Sequence, residues 1–383
     1  MARVIGAPHA FLRRFVEVET RAALAIIVAA VLGVTLASLP IGDDVVRIVT
    51  TSHVRGVVSE IAVCGFFLLI GLELRREAAH GALSGSVARI AALAAAVGMA
   101  LPAAIYLAAA PAGARPGWVA VVATDIAVAS AVALLGVPTE PARILLLTVA
   151  IFDDIGAVAA LAVFGGHAPS FMWLPVIVAV VVGYAWTARR YRLGGLVAVG
   201  VAVAACALAL HAGFHPSLAA FAVGFVVPRG AGHTGTEPVD ERIERRLHPW
   251  IAGLLLPAFV LLQTLVPVHL RPGSPAALIV VTIVAIVVGK TVGVAGVLAV
   301  TRRRHGISLT ECVAIGFAAA AALTVALIGV DATLHGSRFA QPVALGVLAA
   351  TTVAGAAGIS VGRLATRRAS RPSRAGARTT APR

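Results

Sequence analysis

The sequence predicts an all-α membrane protein with about twelve transmembrane helices, and three observations support this fold class. The chain has 383 residues, of which 60% are hydrophobic and 13% charged, and its mean hydropathy is +0.97, unlike any ordinary soluble domain of this length. Apolar runs of about twenty residues recur along it, each long enough to cross a hydrocarbon core of roughly 30 Å. The runs are continuously apolar and rich in Ala, Leu and Val. This pattern favours helices over the alternating strands of a β-barrel.

The polar connections between these runs are too short to hold a soluble domain. The first run is interpreted as an uncleaved helix because it is too long for the apolar part of a signal peptide. We therefore predict one transmembrane domain over 1–364, with a short cytoplasmic N-terminus over 1–21, followed by a basic disordered cytoplasmic tail over 365–383. The predicted spans are 22–40, 56–74, 88–110, 117–136, 142–164, 170–187, 194–211, 216–228, 250–268, 276–300, 309–330 and 341–361.

The net charge is strongly positive, formally +14, and the basic residues are distributed as in a membrane protein. If the N-terminus is cytoplasmic, 25 of the 31 Lys and Arg residues fall on the inside. This is the positive-inside bias of polytopic membrane proteins, and it also puts the C-terminus in the cytoplasm. The basic tail is then expected near anionic lipid headgroups, and no nucleic-acid partner is predicted. The arginines in predicted outside loops are Arg47, Arg55, Arg115, Arg271 and Arg338.

Ionisable residues within the predicted spans are the main functional signal, because charges at mid-bilayer cost several kcal/mol. Asp125 lies in the fourth span, Asp153 and Asp154 in the fifth, and Lys290, the only lysine of the chain, in the tenth. A purely structural role would be a buried salt bridge between helices. Four such groups in one bundle instead favour an ion pathway, and a lysine, unlike an arginine, can lose its proton in a buried site.

Asp153 and Asp154 are adjacent, so on a helix their side chains point about 100° apart and require different partners. One division gives Asp154 to a transported cation and Asp153 to Lys290, in an ion pair that opens when Asp153 is protonated. A hard cation such as Na⁺ prefers oxygen ligands of this type.

Several motifs, taken in their order and spacing, resemble those of the NhaA family of bacterial sodium/proton antiporters over about residues 12–362. They are Phe66-Phe-Leu-Leu-Ile-Gly-Leu-Glu-Leu-Arg-Arg-Glu77, Ala123-Thr-Asp-Ile-Ala127, Ile151-Phe-Asp-Asp-Ile-Gly156, His215 in Gly-Phe-His-Pro-Ser-Leu, His248-Pro-Trp250 and Gly289-Lys290.

The resemblance implies a secondary transporter rather than an enzyme. It would exchange Na⁺ or Li⁺ for H⁺ across the bacterial plasma membrane, without a cofactor, for sodium extrusion and pH homeostasis. The exchange would be electrogenic, with two H⁺ per Na⁺, and regulated by pH. The implied fold is an inverted-repeat bundle that forms a homodimer, in which the fourth and eleventh spans are discontinuous and cross near the midplane.

The resemblance also implies roles for particular residues. Asp154, Asp153 and Thr124 would form the Na⁺ site, and Asp153 and Lys290 would couple it to protons. Asp125 would offset the positive ends of the interrupted helices and Lys290 the negative ends.

Four further residues resemble positions that respond to pH in the family. Their alternative interpretations are an ordinary interfacial ion-pair cluster for the first three and a merely hydrated histidine for the last. The four are Glu73, Arg76, Glu77 and His215.

The sequence departs from the family pattern in three places. An Asn-Asp pair early in the second span is Ser59-Glu60 here, and an Ala-Asn-Ala-Gly stretch in the ninth is Leu262-Gln-Thr-Leu265. The glycine-rich break of the eleventh span is Ala320-Ala-Ala-Leu-Thr324. Glycine permits unwinding whereas alanine is the best helix former, so the residues themselves leave open whether this span is interrupted.

Two other functions remain as alternatives. Intramembrane aspartates also serve aspartic proteases, but the Tyr-Asp and Gly-x-Gly-Asp motifs typical of those enzymes are absent from the sequence. An organic-solute/sodium carrier on a related fold is the second alternative, for which Asp153, Asp154 and Lys290 are not the expected combination.

Overall fold

A computed structural model describes residues 6–51, 54–80, 85–137, 139–164, 170–191, 195–227, 239–266 and 275–369. Within these ranges every regular element is helical, which confirms the predicted all-α class. The α-helices are α1 (Gly6–Ser38), α2 (Gly42–Thr51), α3 (Val54–His80), α4 (Gly85–Ala109), α5 (Trp118–Val122), α6 (Ile126–Gly136), α7 (Glu140–Phe164), α8 (Leu174–Tyr191), α9 (Gly195–His211), α10 (Pro216–Val226), α11 (Val239–Trp250), α12 (Leu256–Gln263), α13 (Ala277–Ile283), α14 (Thr291–His305), α15 (Leu309–Ala319), α16 (Thr324–Leu334) and α17 (Ala340–Ala369).

Six helical stretches of the described chain are long and apolar enough to cross a membrane, or up to eight if each of two bent helix pairs is one span. The bent pairs are Ala112–Val122 with Ile126–Gly136, at 54°, and Leu309–Ala319 with Thr324–Leu334, at 44°. Shorter apolar helices lie at the predicted first, sixth, seventh and eighth spans. These are Ala22–Ser38, Leu174–Ala188, Val197–His211 and Pro216–Val226.

Both bent pairs are interrupted by a few residues without helical structure. In the first pair the gap is Ala123 to Asp125, and in the second it runs from Ala320 to Leu323. The alanine-rich sequence left the interruption of this span open, and the structure shows that the helix breaks there. Local propensity is therefore overridden by packing around the break, where Ala320 to Leu323 are at most 3% exposed.

Two π-helical turns interrupt otherwise continuous helices. One, Ile251–Leu255, joins α11 to α12, so the charged stretch around Glu244 forms the first part of the candidate span Arg242–Gln263. The other, Val284–Lys290, joins α13 to α14 and ends at the single lysine. Such turns leave backbone groups without the regular helical pattern and occur often at functional sites.

The first and last described helices extend beyond the boundaries predicted for the transmembrane spans and the tail. Helix α1 begins at Gly6, within the predicted N-terminal segment, and α17 continues to Ala369, past the predicted boundary at residue 364. The rest of the predicted tail, residues 370–383, lies outside the described ranges.

Helices α3 and α10 approach each other closely at two glycines. A Cβ atom on Gly71 would lie 2.3 Å from the carbonyl oxygen of Phe221, and one on Gly224 would lie 2.3 Å from that of Leu68. Small residues allow this approach in membrane bundles, where helix packing has little hydrophobic driving force.

We expect Gly71→Ala to lower the unfolding free energy by about 1–3 kcal/mol, because the added methyl group would force the two backbones apart. Thermal unfolding of the purified protein in detergent would measure the effect. Gly56→Ala is the matched control, since a Cβ atom there, on the same helix, has nothing within 4 Å. Equal melting temperatures for the two variants would contradict the close packing.

Candidate functional site

The two helix breaks contact each other in the interior of the bundle. The backbone N–H of Asp125 donates a hydrogen bond to the carbonyl oxygen of Ala321, at 3.2 Å. Thr124 and Ala320 are 0% exposed and Asp125 is 3% exposed. Consequently, the C-terminal ends of α5 and α15 and the N-terminal ends of α6 and α16 all meet at one buried place.

Asp125 binds the N-terminal ends of two helices with one carboxylate. Its Oδ1 accepts a hydrogen bond from the backbone N–H of Val128 in α6, at 3.2 Å. Its Oδ2 accepts from the backbone N–H of Thr324, at 2.9 Å, and from the Thr324 hydroxyl, at 2.5 Å, at the start of α16. Helix N-termini carry unpaired N–H groups and a partial positive charge, which a carboxylate satisfies.

Lys290 binds the C-terminal helix end at the first break, which carries the opposite partial charge. Its ammonium donates to the carbonyl oxygens of Val122, at 2.5 Å, and Ala123, at 2.7 Å, at the C-terminal end of α5. Its Nζ also lies 3.2 Å from Oδ2 of Asp153, and both side chains are 0% exposed. An ammonium has three N–H donors, so these contacts use all of them.

The Thr124 hydroxyl links the carboxylate of Asp153 to the second helix break. The Thr124 hydroxyl oxygen lies 2.7 Å from Oδ2 of Asp153 and 2.9 Å from the carbonyl oxygen of Ala319, the last residue of α15. A hydroxyl has one proton, so it donates to only one of these acceptors at a time. The other oxygen of Asp153, Oδ1, is buried without a hydrogen-bond partner in the described chain.

Asp154 points away from this network, as expected for the next residue of a helix. It is 3% exposed, and its Oδ1 is buried without a hydrogen-bond partner among the described residues. It lines a cavity of about 50 Å³ together with Asp125, Thr324, Glu73 and His248. Buried carboxylate oxygens are normally satisfied, so two unsatisfied oxygens at neighbouring residues mark a place where a cation or a proton can bind.

The residues proposed for pH response lie in different places. Glu73 lines the Asp154 cavity, whereas Nη1 of Arg76 donates to both carboxylate oxygens of Glu244 in α11, at 2.8 and 2.9 Å. His215 precedes α10 and does not line this cavity; its Nδ1 lies 2.7 Å from the Ser217 hydroxyl. The side chain of Glu77 lies outside the described residues.

Sequence reasoning missed several polar residues that the structure places at a second cavity. This cavity has a volume of about 250 Å³ and is lined by Arg55, Gln263, Asp331 and His335, among others. The predicted eleventh span ends one residue before Asp331. Arg55 is predicted in an outside loop, but it lies in α3. Outside this cavity, the pairing of Glu244 with Arg76 is not predictable from the sequence, because several charged residues surround Glu244.

With this geometry established, comparison with known proteins identifies the family. The sequence profile described as Na⁺/H⁺ antiporter 1 matches residues 13–361. The chain belongs to this family. The predicted resemblance to NhaA proteins is therefore confirmed, and the chain is a transporter rather than an enzyme, which excludes the aspartic protease alternative.

Among the curated relatives, the Na⁺/H⁺ antiporter NhaA 2 of Myxococcus xanthus is 28% identical, covering 97% of this chain and 92% of the relative. An Na⁺/H⁺ antiporter NhaA of Anaeromyxobacter sp. is 31% identical, covering 94% and 92%. Among solved structures, the sodium proton antiporter MjNhaP1 of Methanocaldococcus jannaschii aligns with a TM-score of 0.58 at 13% identity, covering 94% of this chain and 98% of that one. The last similarity concerns the fold alone.

In this antiporter-family chain, we expect Lys290→Met to lower the unfolding free energy by about 3–5 kcal/mol, because it leaves Asp153 buried without its cation. The double variant Lys290→Met/Asp153→Asn should lose less than the sum of the two single variants, which a double-mutant cycle on detergent-purified protein would measure. Arg47→Met is the control, since the Arg47–Asp44 pair is exposed and worth little. Strictly additive effects at Lys290 and Asp153 would contradict the pairing.

Proposed function

We propose that this protein exchanges Na⁺ or Li⁺ for H⁺ across the bacterial plasma membrane, with Asp154 and Asp153 as the cation site and with the Asp153–Lys290 pair coupling that site to protons. The observation that supports this most is the pair of buried carboxylates beside the helix breaks, one facing a cavity and the other held by Lys290. The family of the chain and the names of its relatives agree with this activity.

In the cation-loaded form, Na⁺ is bound by carboxylate oxygens of Asp154 and Asp153, with the Thr124 hydroxyl as a further oxygen ligand. Thr124 is suited to this role because its hydroxyl already contacts Asp153 at 2.7 Å. The bound cation replaces the ammonium of Lys290 as the partner of Asp153. Lys290 then gives up its proton, because a buried ammonium without a counter-ion is strongly disfavoured.

In the proton-loaded form, Asp154 carries one proton and Lys290 carries another while paired with Asp153. The two forms differ by two protons and one Na⁺. Each cycle therefore moves one net positive charge, so the exchange is electrogenic and responds to membrane potential. Asp125 keeps its role in both forms, since its carboxylate binds the starts of α6 and α16 rather than the cation.

Regulation by pH is assigned to Glu73, Arg76 and Glu77, with His215 as a separate candidate. Glu73 lines the cavity of Asp154, and the Arg76–Glu244 pair ties α3 to α11 at the same end of α3. Protonation of these glutamate carboxylates would weaken the link between α3 and α11 and so change access to the Asp154 cavity.

The proposed architecture is a bundle of twelve spans with two inverted halves and crossing interrupted helices, with both termini cytoplasmic and a homodimer as the assembled form. It is supported by six long apolar helices, two bent pairs and four shorter apolar helices in the described chain. The contact between Asp125 and Ala321 supports a crossing of the interrupted helices.

We expect Na⁺ or Li⁺ to dissipate a pre-formed ΔpH in everted vesicles from cells that lack their own antiporters, and Asp154→Asn to abolish this response. Fluorescence dequenching between about pH 6.5 and 9 measures the activity, with K⁺ as the comparison ion. Asp44→Asn, at an exposed acid outside the long spans, is the matched control.

No cation-dependent dequenching from a protein shown to be in the membrane would contradict sodium/proton exchange. Wild-type activity of Asp154→Asn would show instead that the cation binds elsewhere. Na⁺ uptake into proteoliposomes driven by an imposed membrane potential tests the stoichiometry, since an electroneutral exchanger would not respond.

We expect Lys290→Arg to impair exchange, chiefly by altering its pH profile, because arginine keeps the charge but does not give up its proton. The same vesicle assay, run as a pH series, measures the shift. An unchanged profile would mean that Lys290 takes no part in proton coupling.

A further inference from the structure

Helix α17 contributes one hydroxyl group to the second helix break. The Thr351 hydroxyl donates a hydrogen bond to the carbonyl oxygen of Ala322, and the two residues are 8% and 1% exposed. The carbonyl oxygens of Ala319 and Ala321 also accept hydrogen bonds, but their donors belong to the first break. Thr351 therefore anchors the second break to a helix outside the two bent pairs.

The Thr351 hydroxyl does not have the partner that hydroxyls inside helices often have. A serine or threonine in a helix can donate to the carbonyl oxygen four residues earlier in its own helix. Thr282, Thr333 and Thr352 do so, at 2.7, 2.6 and 2.9 Å. Thr351 bonds across helices instead, although Thr352 is the next residue of the same helix. The hydrogen bond to Ala322 is therefore set by the packing of α17 rather than by the local chain.

Close packing against neighbouring helices fixes the position of α17. A Cβ atom on Gly362 would overlap the backbone of Gly136, at the end of α6. Nearer the start of α17, a Cβ atom on Gly346 would lie 2.6 Å from Cβ of Thr282 in α13. Thr351 lies between these two points along the helix, so it has little freedom to follow the break if the break moves.

The second break needs an anchor because its own residues form helix well. Alanine is the best helix former and glycine one of the poorest, yet the break contains three alanines and no glycine. In a continuous helix the carbonyl oxygen of Ala322 would accept from the backbone N–H of Ala326. The Thr351 hydroxyl binds this oxygen instead, and so opposes the return of the segment to helix.

The anchored segment leads on both sides to the candidate ion site. Two residues after Ala322, the backbone N–H and the hydroxyl of Thr324 donate to Oδ2 of Asp125, at 2.9 and 2.5 Å. Three residues before it, the carbonyl oxygen of Ala319 lies 2.9 Å from the Thr124 hydroxyl oxygen. In a continuous helix this N–H and this carbonyl would bond within their own backbone, and both contacts with the first break would be lost.

We propose that Thr351 is a positioning residue for the ion site, whose hydroxyl holds the carbonyl oxygen of Ala322 and so keeps the alanine-rich break unwound beside Asp125 and Thr124. Thr351 does not contact the cation itself. Its effect on cation binding rests on the proposed function, whereas its effect on the helix break does not.

Amide hydrogen exchange tests the effect on the break without requiring transport. The full-length protein in detergent is transferred to heavy water, and peptides that contain residues 320–324 are analysed by mass spectrometry. Thr351→Val removes the hydroxyl and keeps the shape of the side chain. We expect these amides to exchange about fivefold more slowly in this variant, because they form helical hydrogen bonds when the break rewinds. A protein that was merely destabilised would exchange faster.

Thr352→Val is the matched control, since it makes the same change at the next residue, whose hydroxyl bonds within its own helix. We expect its break amides to exchange as in the parent chain. Thr351→Ser keeps the hydroxyl and should restore the exchange rate of the parent. The double variant Thr351→Val/Ala321→Gly should also return toward that rate, because glycine disfavours helix in the break.

The vesicle assay measures the consequence for the ion site. We expect the Na⁺ concentration that gives half-maximal dequenching to rise about fivefold in Thr351→Val and to stay at the parent value in Thr352→Val. The serine variant and the glycine double variant should recover most of the difference. A general loss of stability would not be relieved by a glycine in the break.

Unchanged or faster exchange in Thr351→Val would overturn the proposal, as would slower exchange with an unchanged Na⁺ response. Equal effects of Thr352→Val, or no recovery by the glycine double variant, would also overturn it. If the break amides slow in Thr351→Val but the parent chain itself does not respond to Na⁺, the proposed function fails and the anchoring of the break stands.

Discussion

Four helix ends meet inside this membrane bundle, and their backbone groups must find partners where the surrounding residues are buried. An unpaired N–H or C=O group in such surroundings costs several kcal/mol, so a broken helix persists only if other groups satisfy it. Asp125 satisfies N–H groups of α6 and α16, and Lys290 satisfies carbonyl groups of α5. The two side chains have opposite charges because the two kinds of helix end have opposite partial charges.

This constraint links the helix breaks to the candidate ion site. Lys290 uses one donor on Asp153 and two on the end of α5, while Thr124 lies between Asp153 and the end of α15. A change in the charge of Asp153 therefore alters the partners of two helix ends. Among the described residues Asp154 has no such structural partner; its Oδ1 is unsatisfied, and the residue lines a cavity instead. The division of roles between two adjacent aspartates thus follows from where a helix aims each side chain.

The break in the eleventh predicted span shows the limit of arguments from propensity. Alanine favours helix by up to about 1 kcal/mol per residue over glycine, but a satisfied buried network provides more than that. Ala319 to Ala322 supply carbonyl oxygens to Thr124, Asp125 and Thr351, which a continuous helix would keep within its own backbone. Any small residue allows this close approach, so alanine serves in place of glycine. The sequence signal for the break lay in Asp125 and Thr324 rather than in the broken segment.

The sequence alone determined the membrane environment, the helical class, the approximate spans and the intramembrane residues Asp125, Asp153, Asp154 and Lys290. It did so because the cost of placing polar groups in lipid is so large that hydropathy and isolated charges are unambiguous. Tertiary structure alone decided the partner of each charge, the joining of α11 to α12, and the contact of Ser59 with Gln263. Those outcomes depend on how helices distant in the chain pack together, and no local pattern records that a glutamine at the end of one span meets an arginine at the start of another.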